Sequence, residues 1–177
     1  MKNKIRNKTR ALTLCSIFSA LGVIILYLGS LIEIIDLSMA VAASLLVIIA
    51  VIELGGIYPW LVYSVTSILS LLLLPNKFVA LVYFAFTGFY PILKAMIERV
   101  KGMVCALIKL AVFNVCLVAM WTAARIFVVP FDMPYGTVIT LIVLNLIFVL
   151  YDFALTRLIK KYIYVWRKKL KIYKRNP

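Results

Sequence analysis

The side chains that could do chemistry in this chain are few. Twenty lysines and arginines face six carboxylates and three cysteines, and there is no histidine. The commonest general base and metal ligand is therefore missing. The cysteines, Cys15, Cys105 and Cys116, sit in apolar runs with no Cys-x-x-Cys spacing. In that setting cysteine acts as a small apolar residue. The carboxylates Glu33, Asp36, Glu53, Glu98, Asp132 and Asp152 are spread over separate connections and helix ends, with no paired arrangement for acid–base work inside the apolar runs. There is no glycine-rich phosphate loop, so the chain is not expected to hydrolyse nucleotide. An enzyme is not expected, and neither a cofactor nor a metal is implied.

The most informative stretch is Phe84 to Lys101, FAFTGFYPILKAMIERVK. Pro91 cannot donate to the carbonyl of Thr87 and its ring crowds that carbonyl, so a kink or a local re-satisfaction is expected. Lys94 and Glu98 are four apart and share a helix face, as do Glu98 and Lys101 at three. Gly56-Ile57-Tyr58-Pro59-Trp60-Leu61 repeats Gly88-Phe89-Tyr90-Pro91-Ile92-Leu93 as G-x-Y-P-x-L, with Glu53 just before it. A partly desolvated carboxylate seeks a cation. Glu53 is therefore expected to pair with Lys94, with Glu98 and Arg99 or Lys101 completing a network. That network reads either as a fixed clasp or as a cluster that responds when a partner moves.

Polar groups inside apolar runs are expensive in lipid and face a bundle interior or a cavity. Asn114 and Asn145 lie near mid-span, with Thr66, Ser67 and Thr140. They read as ligand contacts or as interhelical hydrogen-bonding glue. Asn76, Trp121, Arg125, Asp132 and Tyr135 fall toward the opposite ends of their spans from Lys94 and form a candidate polar pocket. Trp121 shares a face with Arg125, and Asp132 is the nearest external carboxylate for that arginine. Lys109 is expected to snorkel to the interface.

The elements that must position these groups are helices in a membrane. The chain is 66% hydrophobic and only 15% charged, where a soluble domain has about 45–50% apolar residues. Runs of about 20 apolar residues recur, each able to cross roughly 30 Å of hydrocarbon. The reading is an all-α bundle of six transmembrane helices. A basic segment, 1–10, precedes a transmembrane domain, 11–158, and a basic tail, 159–177. The spans run near Ala11–Leu31, Leu37–Ile52, Tyr58–Leu74, Phe78–Ile97, Met103–Val129 and from Tyr135 past Arg157. They read as one compact bundle.

Net charge is +14, and it sits on the flanks of the spans. The basic N-terminus, the Lys94–Lys101 connection and the tail fall on one face, which the positive-inside rule makes cytoplasmic. Both termini are then cytoplasmic, in a multi-pass protein of the cell membrane. Anionic inner-leaflet lipid is the expected partner of such flanks; no nucleic-acid module is present. Tyr162, Tyr164, Trp166 and Tyr173 among the tail charges suit a helix at the headgroups.

Small residues on the first span recur at four-residue spacing: Ala11, Cys15 and Ser19, and again Ser16 and Ala20. Such spacing lets a second helix approach closely. Together with six spans, fewer than 200 residues and basic cytoplasmic ends, this resembles the substrate-binding S component of energy-coupling-factor vitamin transporters. The resemblance implies that Ser16-x-x-x-Ala20 stands where the family docks an Ala-x-x-x-Ala stripe on a transmembrane T subunit. It further implies two cytosolic ATPases as partners and a small-molecule ligand in an outward-facing pocket. The layout is also similar to that of the rod-shape MreD-like proteins, which would make the chain a scaffold of the cell envelope.

Overall fold

A computed structural model describes residues 2–32, 35–98, 103–126 and 137–166. Side chains are described for 8–32, 35–98, 103–122 and 139–164. Every element among the described residues is helical. They are α1 (Lys2–Ser30), α2 (Asp36–Glu53), α3 (Tyr58–Leu73), α4 (Lys77–Val82), a π-helical turn (Tyr83–Thr87) and α5 (Tyr90–Ile97). Then follow α6 (Met103–Ile126), α7 (Thr137–Lys161) and a second π turn (Tyr162–Trp166). Among the described residues five stretches are long and apolar enough to cross a membrane: Lys8–Ser30, Asp36–Glu53, Lys77–Ile97, Met103–Thr122 and Ile139–Tyr164. α3 is apolar but has only 16 residues, about 24 Å of helix. The basic start, 1–10, is already helical from Lys2 as part of α1.

The chain divides into two compact units. The first holds α1 to α5, the second α6 and α7. In the first unit the close approaches fix the directions of the helices. A Cβ on Gly22 would lie 3.0 Å from the Thr66 methyl and 3.8 Å from Leu46, and one on Gly29 only 2.6 Å from the Cβ of Met39. Position numbers on α2 fall as those on α1 rise, so the two are antiparallel. Cys15 reaches the Tyr58 carbonyl and Ser19 that of Val62, so α1 and α3 run parallel. Leu26, Ala40, Ala43, Val47, Val62, Val79 and Tyr83 form the buried interior.

Local chemistry explains the ends. α2 stops where Gly55 (φ 62°) and Gly56 (φ 59°) enter the left-handed region that favours glycine. Leu54 and Gly55 both donate to the Ala50 carbonyl. Each G-x-Y-P-x-L copy then starts a helix, with Pro59 and Pro91 in the first turns of α3 and α5. There the missing N–H costs no ladder bond. Asn76 caps α4 by accepting from the Phe78 amide at 2.9 Å.

The expected break at Pro91 is met one turn earlier. In an α-helix the Gly88 amide would donate to Phe84; here it donates to Tyr83 at 2.8 Å, which widens the turn. The Phe84 carbonyl thereby loses its helical donor. The Tyr63 hydroxyl on α3 replaces it at 2.8 Å. Gly88 lies directly beneath those rings: a Cβ there would meet Tyr63 Cδ2 and the Tyr83 carbonyl, each at 2.8 Å.

Candidate functional site

Charged side chains lie near the ends of both α2 and α5. Glu53, on the last turn of α2, is 2% exposed, and Lys94 on α5 is fully buried. Lys94 Nζ lies 3.0 Å from Glu98 Oε1, whose side chain is 41% exposed. Pairing one turn apart is what the Lys94–Glu98 spacing allows, and Lys94 also sits in the last turn of α5, where a cation suits the helix dipole. α2 packs against α5, so the two buried charges belong to neighbouring helices. Arg99 and Lys101, the expected completion of the network, lie outside the described residues.

At the other end of the same helices Asn76 donates to Asp36 Oδ2 at 3.2 Å while capping α4. Asp36 is 8% exposed and opens α2, where a carboxylate complements the dipole. Lys77 donates to the carbonyls of Leu71 and Leu72, which end α3. Asn76, expected in a ligand pocket, is therefore bonded into the joint between α2 and α4. Between the two ends the interior is lined by hydroxyls. Ser44 donates to Val41 and Ser70 to Ser67, while Thr66 Oγ1, Ser67 Oγ and Thr87 Oγ1 are buried with no hydrogen-bond partner.

The small-residue face of α1 is divided. Ala11, Cys15 and Ser19 are buried, and Cys15 and Ser19 contact α3 backbone, so these three pack within the unit. Ser16 and Ala20 are exposed. Beside them a shallow groove of about 180 Å³ runs between α1 and α3, lined by Leu12, Cys15, Ser16, Ser19, Leu61 and Val65.

In the second unit the polar residues meet one another. Asn114 and Asn145 exchange side-chain amide bonds at 2.9 and 3.2 Å, and each also donates to the carbonyl one turn before it. Phe113 stacks on Phe148 with ring centres 4.4 Å apart. Lys109 does not snorkel: its ammonium lies 3.2 Å from Asp152 Oδ2. Sequence reading missed that pairing because the partners are 43 positions apart. The Asn114–Asn145 pair takes the glue role, with both amides engaged across the hairpin. Trp121 is half-buried. Arg125 lies in α6 with its side chain outside the described set, and Asp132 and Tyr135 lie outside the described residues. No cluster of His, Cys, Asp or Glu able to hold a metal occurs among the described residues. No family model, curated protein or solved structure matches this chain.

Proposed function

We propose that the chain is a membrane-embedded substrate-binding (S) component of an energy-coupling-factor-type micronutrient transporter. In this reading it spans the cell membrane six times with both termini cytoplasmic. It has no ATPase activity of its own and works with a transmembrane T subunit and cytosolic ATPases. The observation that carries the reading is the face of α1. Ser16 and Ala20 stay exposed beside an open apolar groove, although the neighbouring small residues are already buried against α3. In lipid, where no hydrophobic force drives helices together, small side chains at four-residue spacing give a partner helix its close approach.

The second reading, an MreD-like scaffold with no transported ligand, draws on a different observation. Asn76, Asn114 and Asn145, three of the polar residues that would line a pocket, all make hydrogen bonds within the chain. One experiment separates the two. The full chain is solubilised from its native membranes, and the copurifying proteins and small molecules are identified by mass spectrometry. ATPase subunits with a T subunit and a bound micronutrient support the transporter reading; cell-wall machinery without them supports the scaffold. The Ser16→Leu/Ala20→Leu variant tests the face itself. It is expected to keep the thermal stability of the parent and lose the T subunit. Retention of the T subunit would remove the observation on which the proposal stands.

A further inference from the structure

A hydroxyl side chain in an apolar helix can satisfy itself by donating back to a carbonyl three or four residues earlier. Ser30, Ser44, Ser70 and Thr156 do so, reaching the carbonyls of Tyr27, Val41, Ser67 and Asp152 at 2.7–3.0 Å. Thr66 and Ser67 depart from that pattern. They are 0% and 1% exposed, and neither hydroxyl has a hydrogen-bond partner within the chain. Thr66 would back-bond to Val62, but the Ser19 hydroxyl of α1 already donates to that carbonyl at 3.5 Å. α1 offers Thr66 no side chain in exchange, because what lies against it there is Gly22.

Helical spacing brings a third hydroxyl to the same face. Ser70 is four residues beyond Thr66 and three beyond Ser67, and residues so spaced are neighbours with Cβ atoms about 5–6 Å apart. Ser70 is fully buried too. Its hydroxyl donates to the Ser67 carbonyl, which leaves its oxygen able to accept. The three stand near the middle of α3 (Tyr58–Leu73), where a membrane gives no bulk water to complete a hydrogen bond. A buried hydroxyl left without a partner is costly. One water fits the triangle: it accepts from Thr66 and Ser67 and donates to Ser70, each oxygen about 2.8 Å away. Three such bonds are what a buried water typically makes.

We propose that Thr66, Ser67 and Ser70 hold an ordered water inside the first unit, at mid-length of α3. The ligand is neutral, since α3 has no charged residue to compensate an ion. The water completes the hydrogen bonding of α3 at the level where Gly22 lets α1 approach, and it does so whichever partner the membrane domain has.

The sign of a stability change separates a hydrated hydroxyl from a dry one. Removing a dry buried hydroxyl stabilises; removing one that holds water loses a hydrogen bond. In the full chain in detergent, Thr66→Val and Ser67→Ala are each expected to lower the thermal midpoint by about 3 °C, equally in sodium and in choline buffer. X-ray radiolysis adds a readout that altered packing does not mimic. Hydroxyl radicals made from an interior water oxidise the side chains beside it even when a scavenger removes those formed in bulk. Leu46 is the reporter, because its Cδ1 and the Thr66 hydroxyl lie within 3.8 Å of one point, the place of a Cβ on Gly22. Its scavenger-resistant oxidation is expected in the parent and lost in Thr66→Val/Ser67→Ala, while the fully buried Leu155 of the second unit stays unlabelled in both. A higher midpoint in either single variant would show a dry hydroxyl and overturn the proposal. Leu46 oxidation that is absent from the parent, or unchanged in the double variant, would overturn it too. A parent midpoint that rises with sodium, and does so only while both hydroxyls are present, would put a cation in place of the water and overturn it as well.

Discussion

Lys109 and Asp152 carry opposite charges at the α6–α7 seam, with side chains 10% and 24% exposed. An exposed ion pair contributes at most about 1 kcal/mol. Removing one partner of a buried pair costs roughly 3–5 kcal/mol, because the other charge is left uncompensated. This pair lies between those limits and nearer the second, since both side chains are mostly buried. The asparagine pair one to two turns further along is neutral, and interhelical hydrogen bonds in membranes average about 0.6 kcal/mol. The ordering follows: Lys109→Met or Asp152→Leu alone should lower the thermal midpoint in detergent more than Asn114→Leu or Asn145→Leu. The double change Lys109→Met/Asp152→Leu should recover most of the loss, because it leaves no stranded charge. A double variant as unstable as the sum of the singles would show that the two side chains act independently. Arg157 is a contrasting residue: exposed, it stacks its guanidinium 4.5 Å from the centre of the Phe153 ring one turn back, an arrangement in which charge and apolar surface share an interface without burial.

At the scale of elements, the span Lys77–Ile97 is two helices and a widened turn rather than one rod. Gly88→Ala is the variant that tests this. Its methyl would press on the Tyr63 ring and on the Tyr83 carbonyl at 2.8 Å, and backbone yields less readily than a side-chain tip. A loss of about 1–3 kcal/mol is expected, the usual range for overpacking, read as a lower thermal midpoint. An unchanged midpoint would mean that the turn is looser than its contacts imply. The sequence made the helices legible through apolar run length, and Pro91 announced a break. It did not show where the break is absorbed, because the hydroxyl that satisfies Phe84 comes from Tyr63 on another helix. Small-residue spacing on α1 was legible too, but not which face is covered. Ser16 is one position from Cys15, hence 100° around the helix, and only the packing of α3 decides that Cys15 is inside and Ser16 outside. Lys109 was misread for the same kind of reason: the carboxylate that holds it lies on a helix that run length alone cannot pair with α6.

For the whole molecule the governing quantity is the surface left apolar. α6 and α7 bury a narrow seam of Phe113, Phe148 and Leu155, while Met103, Val115, Ile142, Leu146 and Leu150 are all more than half exposed. In water such a surface would aggregate; in a bilayer it is the solvent-facing side. The same physics constrains direction. α1, α2, α3 and the α4–α5 span alternate, so the Glu53–Gly56 turn and the end of α5 lie at the same end of their unit as the start of α1. That end carries Lys8 and Arg10 on α1, with Lys94 on α5 and Arg99 and Lys101 following in sequence. The opposite end carries Asp36, Asn76 and Lys77 and is nearly neutral. Translocating a cluster of lysines and arginines is disfavoured, so the first end is expected in the cytoplasm. If α6 and α7 each cross as well, a reporter fused after Pro177 returns to the same side. A cytosolic-type reporter there should be active and an export-dependent one silent, and the same pair inserted after Lys77 should behave in the opposite way. Export-dependent activity after Pro177 together with the expected behaviour after Lys77 would leave the first unit's orientation intact and place the error in the α6–α7 hairpin, where an odd number of crossings would then have to be drawn.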